Sequence, residues 1–161
     1  AGYLRLVLRA HPPSALKFGL VSQMVDQGAA PAEAVAAVKI AGTLAEDCGP
    51  CVQIAVDMAA AEGVSPEVLR AILAGDEAGM GGVAALGWRF ARASLARDMA
   101  AADLARDEIV RRWGEAGLVA LGLSLTAARM YPTLKYALGY GRACSKLTVA
   151  GAPVDHVSIA A

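Results

Sequence analysis

From Pro31 to Asp47 the chain reads PAEAVAAVKIAGTLAED, a run of apolar residues at helical spacing that leads straight into Cys48-Gly49-Pro50-Cys51 and then into a second helical run, VQIAVDMAAAEG. A pair of cysteines joined on both sides to helical sequence excludes the alternating strand and helix order of an α/β sheet. Helix punctuation recurs through the rest of the chain. Pro31 takes a first-turn position with Glu33 near the positive helix end, and Gly63 is a C-cap. In SPEVLRAILAG, Ser65 is the N-cap, Pro66 the N1 residue and Gly75 the stop. PSALKFGLVSQMVDQG predicts a helix that starts at Ser14 and stops at Gly28. Val83 to Trp113 reads as one or two long amphipathic helices, EAGLVALGLSLTAARM as the most apolar and central helix, and YPTLKYALGYGRACSK as a helix beginning at Pro132. Residues 147–161 have β-type composition and are expected as an extended tail. The expected fold class is all-α, with residues 1–161 a single domain.

Composition narrows the function classes. A length of 161 residues suits one domain, and 15 Lys and Arg scattered against 15 Asp and Glu give no nucleic-acid footprint. The hydrophobic content of 57% and mean hydropathy of +0.47 rest largely on alanine. The longest uncharged stretch, Ala116 to Ala128, is too short to cross a bilayer, so no membrane partner is expected. More apolar surface than one small core needs predicts a homo-oligomer. Three cysteines, two of them close together, do not make a disulfide scaffold and point to a reducing cytoplasm. The sequence begins without an initiator Met, as a trimmed N-terminus would, and no secretory signal is visible. His11 and His156 lie near opposite ends of the chain, and no second cysteine pair is present, so neither a metal nor another cofactor is expected.

The Cys-Gly-Pro-Cys tetrapeptide is the one thioredoxins carry, but there it follows a buried strand, and here the preceding residues are helical. The spacing has its own mechanics. With Cys48 at the N-cap, Gly49 and Pro50 fill the first two helical positions and Cys51 the third, where proline is tolerated. Cys48 is then expected to accept a hydrogen bond from the Cys51 amide at the positive helix end, which favours a thiolate with a pKa below about 8.5. Cys51 lies within one turn and can close a disulfide through a mixed-disulfide intermediate. The alternative is structural: two small residues that cap a helix and pack in a core.

The stretch LAEDCGPCVQIAVDMAAAEGVSPEVLRAIL, supported by RRWGEAGLVALGLSLTAARMYPTLKYALGYGRAC, resembles the alkylhydroperoxidase D-like, carboxymuconolactone decarboxylase superfamily, within an EDCGPC branch. The resemblance runs from about Pro31 to Arg70. It implies packed helix hairpins, an obligate oligomer such as a trimer or hexamer, and disulfide-linked reduction of peroxides. The implied partners are a small-molecule peroxide or a protein disulfide. The redox branch also carries a histidine four residues after the second cysteine and an upstream glutamate, which form a proton relay. Here those positions fall at Ala55 and near Ala36. The family gives the attack on peroxide to the second cysteine, here Cys51, whereas capping favours Cys48 for thiol-disulfide exchange; the peroxidatic cysteine stays open. A non-catalytic helical assembly protein and a decarboxylase-like lyase on the same fold are the rival readings, and the lyase has no need of a dithiol.

Other charged residues offer substitutes for the relay. Glu46 is the candidate proton relay, beside Asp47 at an acidic helix start, and Lys39 on the preceding helix would depress a thiolate pKa if it faced the dithiol. Farther on, Lys135 and Arg142 would bind an anionic substrate if they faced the pair, among Tyr131, Tyr136 and Tyr140 at helical spacing. Cys144 reads as a small buried hydrophobe and Trp88 and Trp113 as packing anchors. AGDEAGMGGV lacks the strand-turn-helix setting of a phosphate loop and reads as a connector.

Overall fold

In helix α3 (Ala32–Ala45) every residue from Ala34 to Leu44 is buried except Lys39, because small and apolar residues occupy nearly all of its sides. The computed structural model describes residues 2–23, 28–141 and 146–159. Around α3 pack α4 (Gly49–Ala61), α5 (Pro66–Ala74), α6 (Gly81–Ala96) and α7 (Met99–Ala137), preceded by a hairpin of α1 (Gly2–Ala10) and α2 (Pro12–Gly19). The described residues thus form an all-α domain with a two-stranded ribbon at its end. None of these helices is long and apolar enough to cross a membrane.

The helix boundaries follow the local chemistry. Ser65 Oγ accepts from the Val68 amide at 3.3 Å, Pro66 opens α5, and Gly75 closes it with φ 68°. The Glu67 carboxyl is held below its ordinary range by its own backbone N–H and by the Ser65 hydroxyl. The stretch from Val83 to Trp113 divides at Arg97 (φ 56°), after which Asp98 caps α7 by accepting from the Ala101 amide at 3.1 Å. Gly114 (φ 70°, ψ 180°) interrupts α7 just after Trp113.

Four expectations change. The helix expected from Ser14 begins at Pro12, because the Nδ1 of His11 caps it, accepting from the Ser14 amide at 3.2 Å; α2 ends at Gly19 and a 3-10 turn (Leu20–Gln23) follows, the rest of the expected helix before Gly28 lying outside the described residues. The central helix is α3 rather than the stretch 115–130, whose Val119 and Thr126 are exposed. Pro132 starts no helix and lies inside α7, where the hydroxyl of Thr133 bonds the Arg129 carbonyl at 2.7 Å. Cys48 is the N-cap residue of α4, with Pro50 in the first turn, but its side chain caps nothing; its carbonyl accepts from the Cys51 amide at 2.8 Å while its sulfur is bonded to that of Cys51.

Near the end of the chain, β1 (Leu147–Val149) pairs antiparallel with β2 (Ala152–Val154), pairing Val149 with Ala152 across a two-residue turn whose residues, Ala150 and Gly151, both have positive φ. The Gln53 side-chain amide fastens this ribbon to α4: its Oε1 accepts from the Thr148 amide at 2.8 Å and its Nε2 donates to the Thr148 carbonyl at 3.1 Å. Leu147, Val149 and Ile159 are buried against the body, and the Val157 amide bonds the Leu73 carbonyl at 2.8 Å.

Small residues set the spacing of the helices. A Cβ on Gly87 of α6 would stand 2.5 Å from the Ala34 carbonyl oxygen, and one on Gly42 would stand 3.1 Å from both the Ala128 and the Leu125 side chains of α7. Gly87→Ala must therefore push α6 off α3. The expected cost is about 1–3 kcal/mol, read as a lower urea midpoint with an unchanged slope; an unchanged midpoint would refute this close approach.

Candidate redox site at the start of helix α4

The turn from α3 into α4 consists of Glu46, Asp47 and Cys48, and α7 holds it from one side. Asp47 takes the left-handed conformation (φ 47°), which reverses the chain, and the Tyr136 hydroxyl donates to its carbonyl at 2.7 Å. Asparagine and aspartate are the side chains that tolerate this conformation best after glycine. The Arg129 Nε donates to Glu46 Oε1 at 2.6 Å, and the Thr133 hydroxyl lies 3.5 Å from Oε2. Arg129, Thr133 and Tyr136 recur at helical spacing, so one face of α7 makes all three contacts.

Below this clasp, Cys48 and Cys51 are joined as a disulfide across the first turn of α4, with their Cα atoms 5.3 Å apart. The two cysteines differ in burial: Cys48 is 1% exposed, whereas Cys51 is half-buried. Lys135 projects from α7 onto Cys48, its Nζ 3.3 Å from Sγ, and is itself only 6% exposed. The same ammonium lies 5.7 Å from the centre of the Tyr136 ring, within reach of its π face.

The expected site residues are thus redistributed. Cys48 and Cys51 are together, and Glu46 is close in sequence, but its carboxylate is engaged with Arg129. Lys39 is half-buried on α3 and makes no hydrogen bond or ion pair with the cysteines. The cation at the dithiol is Lys135, which faces the pair, the condition set for its expected role toward an anionic substrate. Arg142 and Cys144 lie outside the described residues. Ala36 and Ala55, near where the resemblance would place a relay glutamate and histidine, are both buried in the core. Sequence reasoning missed Arg129 and Thr133; the only signal for them is a polar line, 129, 133 and 136, on the mostly apolar second half of α7. Among the described residues no group of three or more His, Cys, Asp or Glu side chains is arranged to hold a metal ion. A groove of about 580 Å³ runs beside the ion pair between α2 and α7, with Phe18, Leu125, Met130 and Leu134 as its apolar walls and Arg129 at its edge.

Comparison of the chain with protein families, curated proteins and solved structures returns no match. The site's chemistry therefore stands on its own geometry.

The Glu46–Arg129 pair is partly shielded, with the Glu46 side chain 16% and the Arg129 side chain 43% exposed. A double-mutant cycle with Glu46→Gln and Arg129→Gln is expected to give a coupling of about 1 kcal/mol in urea unfolding. Strict additivity of the two substitutions would show that the pair holds nothing in place.

Proposed function

We propose that the chain is a thiol-disulfide oxidoreductase that works through Cys48 and Cys51. The observation that carries this reading is the disulfide across the first turn of α4, with Cys48 buried and Cys51 only half-buried. An incoming thiolate needs a clear line to one sulfur, and the second must leave as a stabilised thiolate. Cys51 meets the first requirement, and Cys48, beside an ammonium, meets the second. On this reading Cys51 is the cysteine attacked by an incoming thiolate, and Cys48 is the thiolate that leaves, in keeping with its expected thiolate character.

Within this reading the chain is a cytoplasmic relative of the alkylhydroperoxidase D-like proteins, in a branch that has lost the carboxylate-histidine relay. With alanine at both relay positions the usual proton donor to a leaving alkoxide is absent, so peroxide reduction is the slower activity. The protein is also a homo-oligomer. Support comes from the exposed pairs Leu4 and Leu8 on α1, and Leu16 and Leu20 at the end of α2, each four residues apart on one helical face.

Equilibration in glutathione buffers, with the Cys48–Cys51 state read by mass spectrometry, tests the proposal. A reversible couple between about −120 and −270 mV is expected, and it disappears in Cys51→Ser. Thiols that exchange only after unfolding would overturn it and favour the non-catalytic assembly protein.

A further inference from the structure

We infer that Lys135 makes the Cys48–Cys51 pair a disulfide donor, an oxidant of dithiol substrates rather than a reductant. The inference rests on the oxidoreductase reading above and adds its direction. Its basis is an asymmetry in what the buried ammonium meets in the two redox states.

In the disulfide, the one hydrogen-bond partner of Lys135 Nζ among the described residues is Cys48 Sγ, a weak acceptor, with the Tyr136 ring as a secondary contact. No carboxylate among the described residues pairs with it. Glu46 faces the same turn but is held by Arg129, and Asp47 is exposed, with its carbonyl on Tyr136. Lys39, the nearest cation on α3, bonds neither sulfur. Burying an ammonium without a counter-charge is unfavourable, whereas a neighbouring anion offsets much of that cost. Reduction supplies the anion: the Cys48 thiolate forms 3.3 Å from the ammonium, at the positive end of α4. Lys135 therefore stabilises the reduced pair relative to the disulfide, the condition that makes a dithiol protein a strong oxidant.

The reaction balances without a further reagent. One thiolate of the substrate dithiol attacks Cys51 Sγ, forming a mixed disulfide as the Cys48–Cys51 bond breaks and Cys48 leaves with the electron pair. The second substrate thiol loses its proton and attacks the substrate sulfur of the mixed disulfide, and Cys51 leaves as a thiolate that takes up a proton. Two electrons pass from substrate to protein, the substrate closes its disulfide, and the Cys48 thiolate remains paired with Lys135.

The test compares wild type with Lys135→Met and Lys135→Arg in glutathione buffers, after circular dichroism confirms the helical fold. Removing an unpaired buried charge is compatible with folding, and the arginine variant keeps the charge if methionine is not tolerated. Lys135→Met is expected to shift the equilibrium toward its disulfide at least tenfold, a potential about 30 mV more negative, and to lower the Cys48 alkylation rate near neutral pH in a Cys51→Ser background. Lys135→Arg should stay within about threefold of wild type in both. If wild type shows no reversible couple, the oxidoreductase reading itself fails. If wild type equilibrates and Lys135→Met matches it in potential and alkylation, that reading survives and the role of Lys135 is refuted. If methionine is not tolerated, an arginine variant that departs tenfold or more toward its disulfide also refutes the role of a positive charge there.

Discussion

The near approach of α6 and α7 to α3 is the constraint on which the rest of the molecule depends. Alanine and glycine at Ala34, Gly87, Gly42 and Ala128 let backbones meet where larger residues would hold them apart. Close packing of this kind leaves little freedom for sliding, because interiors at crystal-like density resist even small changes in volume. Fixing α7 against α3 also fixes the α7 face against the turn at the end of α3. Arg129, Thr133, Lys135 and Tyr136 reach Glu46, Asp47 and Cys48 from a helix already held in place by the core. The site inherits its precision from a packing arrangement made of the smallest side chains.

That precision matters because the interaction at its centre is unfavourable when incomplete. An ammonium beside a disulfide has only a soft, weakly accepting sulfur to replace the water it has lost. A side chain as flexible as lysine would normally turn outward and rehydrate its head. Here Lys135 stays buried against Cys48, while Arg129 and Tyr136 of the same helix bond the adjoining turn. Under the proposed oxidoreductase activity, that charge gains its partner when the leaving sulfur becomes an anion. A proton relay through glutamate and histidine and an ammonium fixed on a sulfur are different solutions to stabilising developing charge: one moves a proton, and the other supplies a permanent counter-ion.

Much of the fold is legible in the sequence because helix starts and stops are local. Ser65, Pro66 and Gly75 bound α5 as capping chemistry requires, and the helical flanks of the cysteines exclude an α/β sheet. The departures come from local signals with more than one use. Proline marks a first turn at Pro12 and Pro66 but sits within α7 at Pro132, where the flanking turns hold the helix together. Apolar content points to 115–130 as central, whereas centrality belongs to α3, whose small residues allow neighbours on every side. At the site, the two cysteines and Glu46 are readable because they adjoin in sequence. Lys135 stands out in the sequence, but its partner does not, since 87 residues separate it from Cys48 and the pairing depends on how α7 crosses α3. Lys39 illustrates the converse, a nearer cation in sequence that bonds neither sulfur in space.

The most direct measurement is the ultraviolet thiolate absorbance of the freshly reduced protein as a function of pH, with Cys51→Ser isolating Cys48. A buried ammonium in contact with the sulfur requires the Cys48 thiolate to appear well below the free-thiol midpoint of about 8.5. A thiolate already present at neutral pH, lost on acidification while the helical fold persists, is the expected result. Absorbance that rises only at or above that midpoint would mean that burial outweighs the ammonium, and would contradict the pairing of Lys135 with a Cys48 thiolate.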